Sequence, residues 1–207
     1  MGTRSKGGLL LPVVAIVAVV AVFGVDKVID TVTGVFGGGG TEIIAEGEFS
    51  IMVSSADEKK VKSCQARQVI QQKQCNNLKV VVIDAKKMPY IGRGIREAWE
   101  SGLPGLLIMN RANEDVNRAA SCRSKRYQRN YQGTSCDEYP MAPTDEGGEN
   151  AHVEEVPKRE NLCQGGTVRW QYPKDGDKFL VVISNPGSIA PQSYVGVDIA
   201  KDQICPT

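Results

Sequence analysis

Charge is sharply segregated in the middle of the sequence. Residues 118–134, RAASCRSKRYQRNYQGT, contain no acidic side chain and five basic ones: Arg118, Arg123, Lys125, Arg126 and Arg129. With Tyr127 and Tyr131, this segment could hold a polyanion by its phosphates and stack against bases. A basic run by itself is more often a solvated surface, so that alternative stays open.

An acidic segment follows directly. Residues 137–160 contain eight acidic side chains and only two basic ones. Carboxylates beside a phosphate-binding strip would repel the ligand unless a divalent cation lay between them. Oxygen ligands with retained waters suit Mg²⁺, Mn²⁺ or Ca²⁺. A metal on the scissile phosphate, a base that activates water and flanking arginines would together make a hydrolytic site.

The chain as a whole is nearly neutral, in contrast to these two charged segments. Its 207 residues carry a net charge of only +1, so no molecule-wide field favours nucleic acid or a membrane. A charge-driven function therefore depends on the local segregation. The length allows one ordinary domain with appendages.

The order of elements around the acidic segment predicts a β-β-α unit. We expect a strand over residues 137–142, a turn at Gly147 and Gly148, a strand over 152–156 and a helix over 160–171. In such a unit a residue on the first strand faces one near the start of the helix. A base and a metal ligand could thus lie on either side of one phosphate.

Four motifs in this region resemble the NucA/NucB deoxyribonuclease family: CDEYPMA, DEGG, VPKRENLCQGG and DGDKFLVVIS. Upstream, KVVVIDAKKMPYIGRGIREAWESGLP is also similar to that family, so the resemblance covers about residues 78–184. It implies a ββα-metal nuclease fold, a divalent metal ion (Mg²⁺ or Mn²⁺) and endonucleolytic cleavage of DNA with little sequence preference.

The resemblance also implies roles for particular residues. Asp137 matches the aspartate that this family carries in place of a histidine base, and Glu138 and Gln164 are weaker candidates for positioning. Asn161 matches a helix asparagine that resembles a metal ligand, although it could merely cap the turn. Glu146 matches a family carboxylate that could bind metal, although a residue of a hairpin turn is an equal alternative.

The sequence departs from the family pattern at three points. Cys136 stands where an arginine is common, and Arg129 or Arg169 could replace that positive group. His152 matches a variable position, which favours an exposed strand residue over a base. Cys163 is unusual next to Gln164, and we hypothesise a bridge from Cys136 to Cys163 that fixes the base relative to the metal ligand.

The cysteines indicate the compartment. None of the six forms a C-x-x-C pair, and the single histidine has no metal-ligand spacing to any of them. The pattern disfavours zinc and favours up to three disulfides in an oxidising compartment, with the pairing left open. The candidates are Cys64, Cys75, Cys122, Cys136, Cys163 and Cys205.

The N-terminal region predicts export. Residues 9–25 carry no charge and follow Arg4 and Lys6, which indicates a membrane anchor or a cleaved signal, with the remainder outside the membrane. Their length favours the anchor. Residues 1–25 are assigned to this segment, 26–48 to a flexible glycine-rich spacer and 49–207 to a nuclease domain.

The predicted fold class is α+β, with a small mixed sheet, a packed helix and a ββα-metal nuclease core after an N-terminal membrane segment. Strands are expected at 49–54, 79–84, 106–109 and 179–184, and helices at 58–75 and 89–101. Ile91, Ile95 and Trp99 form the apolar face of the second helix. The strands at 79–84 and 106–109 are expected to lie side by side beneath it.

The function favoured is a metal-dependent, non-specific DNA endonuclease at the outer side of the cell membrane, or secreted after signal cleavage, in a bacterium. The expected partners are DNA, the membrane through the N-terminal helix and an inhibitor or immunity protein, and the chain is expected to be monomeric. The alternatives are a catalytically inactive, membrane-anchored DNA-binding module and an exported nuclease toxin.

Overall fold

A computed structural model describes residues 39–205 of the chain. The predicted membrane segment at residues 1–25 lies outside the described residues, as does most of the predicted spacer. Within the described range, no helix combines the length and apolar character that crossing a membrane requires.

The elements follow one another in the α+β order that the sequence predicts. The strands are β1 (Thr41–Glu46), β2 (Phe49–Ser54), β3 (Gln74–Cys75), β4 (Leu78–Asp84), β5 (Leu106–Ile108), β6 (Thr134–Tyr139), β7 (His152–Pro157) and β8 (Lys178–Ser184). The α-helices are α1 (Glu58–Val61), α2 (Ala66–Gln72), α3 (Pro89–Glu100), α4 (Glu114–Ala120) and α5 (Lys158–Thr167).

The main sheet is mixed, and β8 lies at its centre. Its order is β1-β2-β8-β4-β3, with β5 also paired to β8. Strand β8 is parallel to β4 and antiparallel to β2 and β5. The prediction that residues 79–84 and 106–109 lie side by side is therefore wrong, since the last strand of the sheet inserts between them.

Alternating apolar residues let the sheet bury both of its faces. In β4, Val81 and Ile83 pack into one core, whereas Val80 and Val82 pack into the other. Helices α1 and α2 contribute to the second core, and α3 contributes to the first. Such continuous β-branched strands are typical of sheets covered on both sides.

Helix α3 connects the sheet to a separate β-hairpin. Its predicted apolar face is confirmed, because Ile91, Ile95 and Trp99 are all fully buried. The Trp99 indole donates to the Tyr139 hydroxyl at 2.9 Å, and that hydroxyl donates to the carbonyl of Pro104. Strand β6 is thereby fixed against α3.

Several predicted boundaries need correction. The strand expected at 137–142 is Thr134–Tyr139, and the helix expected at 160–171 is Lys158–Thr167. Residues 41–46, at the end of the predicted spacer, form β1, because they pair along their whole length with β2. The predicted helix at 58–75 is two short helices followed by β3, because Cys64 and Cys75 are joined and residues 74–75 pair with β4.

Candidate active site

Strands β6 and β7 and helix α5 form the β-β-α unit that the sequence predicts. The strands pair antiparallel over six residues, with Asp137 opposite Glu154. Helix α5 begins directly after β7 and packs against both strands. Residues from β6 and from the start of α5 therefore face a common space.

That space is a cleft of about 960 Å³. Asp137 and Glu138 line it from β6, and Asn161 and Gln164 line it from α5. The structure thus brings three predicted catalytic residues together in one cavity: Asp137, Glu138 and Asn161.

Asp137 is held in a largely dry environment. Its exposed fraction is 6%, and burial, followed by the neighbouring Glu138 carboxylate, raises its pKa well above the usual range. A hydrogen bond from the Gln164 side chain acts in the opposite direction. A carboxylate with a raised pKa is a stronger base than a solvated one, once it is ionised.

Asn161 is oriented by a neighbour on the hairpin. Its Nδ2 donates to Ser135 Oγ at 2.7 Å, which commits the amide nitrogen to that contact. The amide oxygen is then free to coordinate a cation or to accept a hydrogen bond from water. Ser135 was not singled out from the sequence, because a serine on a strand carries no distinctive signal.

Glu138 connects β6 to the basic segment, defined as residues 118–134. Its Oε1 lies 3.6 Å from Arg118 Nε, and its side chain is 10% exposed. Burial raises the pKa of Glu138, and the Arg118 guanidinium opposes that effect. The carboxylate is thus held at the cleft wall by a cation.

Five arginines surround these groups in the cleft lining: Arg111, Arg118, Arg123, Arg129 and Arg169. Three of them come from the predicted basic segment. Both Arg129 and Arg169, considered above as replacements for the missing arginine, lie in the lining. Arg111 was missed, since it lies outside the basic run, in a turn after β5.

The comparison with known families agrees with this geometry. Residues 107–182 match the model of the family Deoxyribonuclease NucA/NucB. Over these residues the match confirms the family resemblance that the sequence motifs predicted. No curated protein matches the chain.

The NucA/NucB segment begins at β5 and ends within β8, so it includes the whole β-β-α unit and the basic segment. It is narrower than the region of about residues 78–184 that the motifs suggested, because α3 and β4 precede it. The match supports nuclease activity in general.

The described residues contain three disulfides: Cys64–Cys75 upstream of the NucA/NucB segment, Cys122–Cys136 within it, and Cys163–Cys205 from it to the C-terminal region. The hypothesis of a Cys136–Cys163 bridge is wrong. Cys136 joins the basic segment to β6 instead, and Cys163 fastens α5 to the C-terminal region. All six candidate cysteines are paired.

Glu146 of the DEGG motif lies outside the cleft lining. Its Oε2 accepts a hydrogen bond from the backbone N–H of Ile108 at 3.0 Å, at the end of β5. The adjacent Asp145 accepts from the side chains of Asn110 and Asn113. The structure does not bring Glu146 together with Asn161, and its metal-binding role stays a prediction.

The remaining basic residues have other surroundings. Arg126 donates to the carbonyl oxygens of Glu149 and Ala151, and neither Arg126 nor Lys125 lines the cleft. Tyr127 does line it, whereas Tyr131 packs edge-on against Tyr194. A DNA-binding role for Lys125 and Arg126 stays a prediction.

A buried carboxylate that sequence reasoning did not use positions α5. Glu160 Oε2 accepts from the backbone N–H groups of Tyr90 and Ile91 at 2.9 and 3.1 Å. Helix α3 begins at Pro89 without a side-chain cap of its own, so Glu160 supplies the cap from α5. Burial raises the pKa of Glu160 to about 8, while these bonds and Arg159 favour its charged form.

The cleft residues fit a hard divalent cation. Cys122, Cys136 and Glu138 have donor atoms within 4.8 Å of one another, but disulfide sulfurs are not thiolates and do not serve as metal ligands. The donors suited to a metal are oxygens, above all the Glu138 carboxylate and the Asn161 amide. Mg²⁺ is usually bound by a few protein oxygens, and waters complete its coordination shell.

Proposed function

We propose that the chain is a divalent-metal-dependent endonuclease that cleaves DNA with little sequence preference and uses Asp137 as general base. One observation carries this proposal: a buried carboxylate on β6 and an oriented amide on α5 line a single cleft with five arginines. This is the arrangement that phosphodiester hydrolysis requires, namely a base, a site for a metal and cations for the phosphates.

Asn161 and Glu138 would hold the metal, with Mg²⁺ or Mn²⁺ as the expected ion. When bound, such an ion polarises the scissile phosphate and stabilises the leaving oxygen. We prefer Glu138 to Glu146 as the carboxylate ligand, because Glu138 lines the cleft with Asn161 whereas Glu146 does not.

Asp137 would take the proton from the attacking water. Because its surroundings exclude most solvent, Asp137 would act as a base with a raised pKa, and the Gln164 side chain beside it favours the charged form. The arginines would bind backbone phosphates, and phosphate contacts carry no direct sequence information. Low sequence preference follows from that contact type.

Action outside the membrane is part of the proposal. Three disulfides support it, because such bonds persist in oxidising compartments and are rare in the bacterial cytosol. The predicted anchor at residues 1–25 points in the same direction.

A plasmid-nicking assay tests the function directly. The full chain should convert supercoiled plasmid to nicked and linear forms with Mg²⁺ or Mn²⁺, and EDTA should stop the reaction. If the chain bound DNA but did not nick it with either metal ion, the inactive DNA-binding module would be favoured instead. Equal nicking in EDTA would contradict metal dependence.

Neutralising two cleft arginines should weaken DNA binding and its salt dependence. The slope of log K against log salt is about −0.9 per phosphate contact, so losing two contacts in Arg123→Gln with Arg129→Gln should make it less negative by about 1.8. Fluorescence anisotropy with labelled duplex at several salt concentrations measures this slope. Lys125→Gln is the matched control, since Lys125 lies in the same segment but outside the lining.

Two results would contradict this assignment: an unchanged slope in the double variant, or a change in Lys125→Gln as large as the change per arginine in the double variant. The first result would remove the cleft as the binding surface. The second would assign binding to the basic segment as a whole.

As the pH is lowered, the cleavage rate should begin to fall at a higher pH than it would if the base had the pKa of an ordinary aspartate. The base acts only when deprotonated, and burial raises the pKa of Asp137. Below that pKa, kcat/KM should fall about tenfold per pH unit, and above it the rate should level off. Initial rates at saturating metal from pH 4.5 to 8 measure the profile. A rate that stays flat down to pH 4.5 would contradict Asp137 as the base.

A further inference from the structure

A second cluster of charged groups lies outside the cleft, between α3 and β7. His152 and Glu154 are two residues apart on β7, and Arg93 and Glu97 are four residues apart on α3. Side chains with these spacings share one face of a strand and one face of a helix. The two elements pack together, so the four side chains meet.

Three donor groups in this cluster converge. One ligand atom each from Glu97, His152 and Glu154 lies within 4.8 Å of the other two. The Glu97 Oε2 and His152 Nε2 atoms are 3.8 Å apart. That separation is too long for a hydrogen bond but short enough for a shared ion.

Arg93 holds both carboxylates by their other oxygens. Its Nη1 contacts Glu154 Oε1 and its Nη2 contacts Glu97 Oε1. The two Oε2 atoms are left for a further ligand. Hydrogen bonds to the outer oxygens of ligating carboxylates are a common way to orient a metal site.

Glu154 carries an unsatisfied atom in this space. The side chain is only 8% exposed, and within residues 39–205 its buried Oε2 has no hydrogen-bond partner. An orphaned buried carboxylate oxygen is costly and calls for an explanation such as an ion.

Gly94 keeps the same space open. A Cβ at this position would come within 3.0 Å of Glu154 Oε2 and 3.8 Å of His152 Cδ2. The orphaned oxygen and the imidazole therefore border one small volume beside the helix backbone.

We propose that Glu97, His152 and Glu154 form a second metal site, separate from the cleft, that takes a divalent transition metal such as Zn²⁺. An imidazole with two carboxylates suits Zn²⁺ better than Mg²⁺, and a water can complete the tetrahedron. The sequence disfavoured zinc because no cysteine has the required spacing to His152, but here carboxylates supply the ligands through tertiary packing.

The surrounding charges are compatible with this site. Burial lowers the pKa of His152, with contributions from Arg93 and Arg126, although Glu97 opposes the effect. The neutral imidazole that ligation requires is thereby favoured at neutral pH. A bound ion would join α3 to β7 and neutralise Glu154, which lies opposite Asp137 in the ladder.

Zinc titration of the full, tag-free chain tests the proposal. Because His152 is the single histidine of the chain, any histidine ligation belongs to it. After EDTA treatment and dialysis, Zn²⁺ binding is measured by competition with a chromophoric chelator, for wild type, His152→Gln and Glu97→Gln. Each variant should bind one equivalent less than wild type. Circular dichroism establishes that both variants are folded.

Unchanged zinc stoichiometry in either folded variant, or no zinc binding by wild type, would overturn the proposal. Asp137→Asn serves as the matched control, because it alters the cleft and leaves this site intact, and it should retain the equivalent that His152→Gln loses. Mg²⁺-dependent nicking by wild type is measured separately, so the zinc result does not depend on the nuclease assignment.

Discussion

Asp137→Asn is expected to lower the rate of plasmid nicking by about 10²- to 10⁴-fold, the range that a general base contributes. The substitution keeps the size and shape of the side chain and removes only the ability to accept a proton from water. Initial rates of supercoil loss at saturating Mg²⁺ measure the effect. DNA affinity should change little, because the arginines bind the phosphates.

The stability of this variant separates catalysis from folding. Burying the Asp137 carboxylate is unfavourable to its charged form, as its raised pKa indicates, so a neutral amide should fold at least as stably near neutral pH. We therefore expect a melting temperature equal to or above that of wild type, together with lost activity.

Asp145→Asn is the matched control for Asp137→Asn. Asp145 is an exposed carboxylate of the following turn, where it accepts hydrogen bonds from Asn110 and Asn113. It should nick at nearly the wild-type rate. Near-wild-type nicking by Asp137→Asn, or an equal loss in Asp145→Asn, would remove Asp137 as the base.

The elements predicted well from the sequence are those specified by nearby residues. The β-branched run of β4 and the four-residue spacing of Ile91, Ile95 and Trp99 determine a strand and a helix locally. The β-β-α order also brought Asp137 and Asn161 to one cleft, because a hairpin followed directly by a helix leaves few ways to pack.

The features that sequence reasoning missed depend on contacts between distant segments. Strand β8 enters the sheet beside β4 after nearly one hundred intervening residues, and no local pattern specifies that neighbour. Glu160 caps α3 across 70 positions. The orphaned oxygen of Glu154 likewise results from packing against α3. In the sequence, Glu154 is only one of several residues in an acidic segment.

The disulfide pairing is a further case, because spacing alone cannot choose among the possible bridges. The resemblance drew attention to Cys136 and Cys163, because both lie in motifs shared with the family. In the folded chain Cys136 instead meets Cys122, since the basic segment returns to β6 and brings its arginines to the cleft.

Replacing Cys122 and Cys136 together by serine is expected to cost activity as well as stability. Their bridge closes a loop of 14 positions. Removing it frees the unfolded chain, which should lower the free energy of unfolding by about 3 kcal/mol. Without it, the segment bearing Arg123 and Arg129 is no longer fastened beside Asp137. We expect weaker DNA binding and slower nicking at temperatures where the variant is still folded.

The pair Cys64 and Cys75 provides a matched control. Their bridge spans 11 positions and lies beside α2 and β3, away from the cleft. Removing it should also lower the free energy of unfolding by about 3 kcal/mol. DNA affinity and the nicking rate of the folded protein should stay near wild type. Chemical denaturation measures the stability of both double variants, and anisotropy and plasmid nicking measure their function.

The comparison isolates what the Cys122–Cys136 bridge does for the cleft. If both double variants lose stability equally but only the Cys122 and Cys136 variant binds DNA more weakly, the bridge positions the arginines in addition to stabilising the fold. If both retain full DNA affinity and nicking, Glu138 and its contact with Arg118 would suffice to hold the basic segment in place. The cysteine that precedes Asp137 would then be a stabilising residue only.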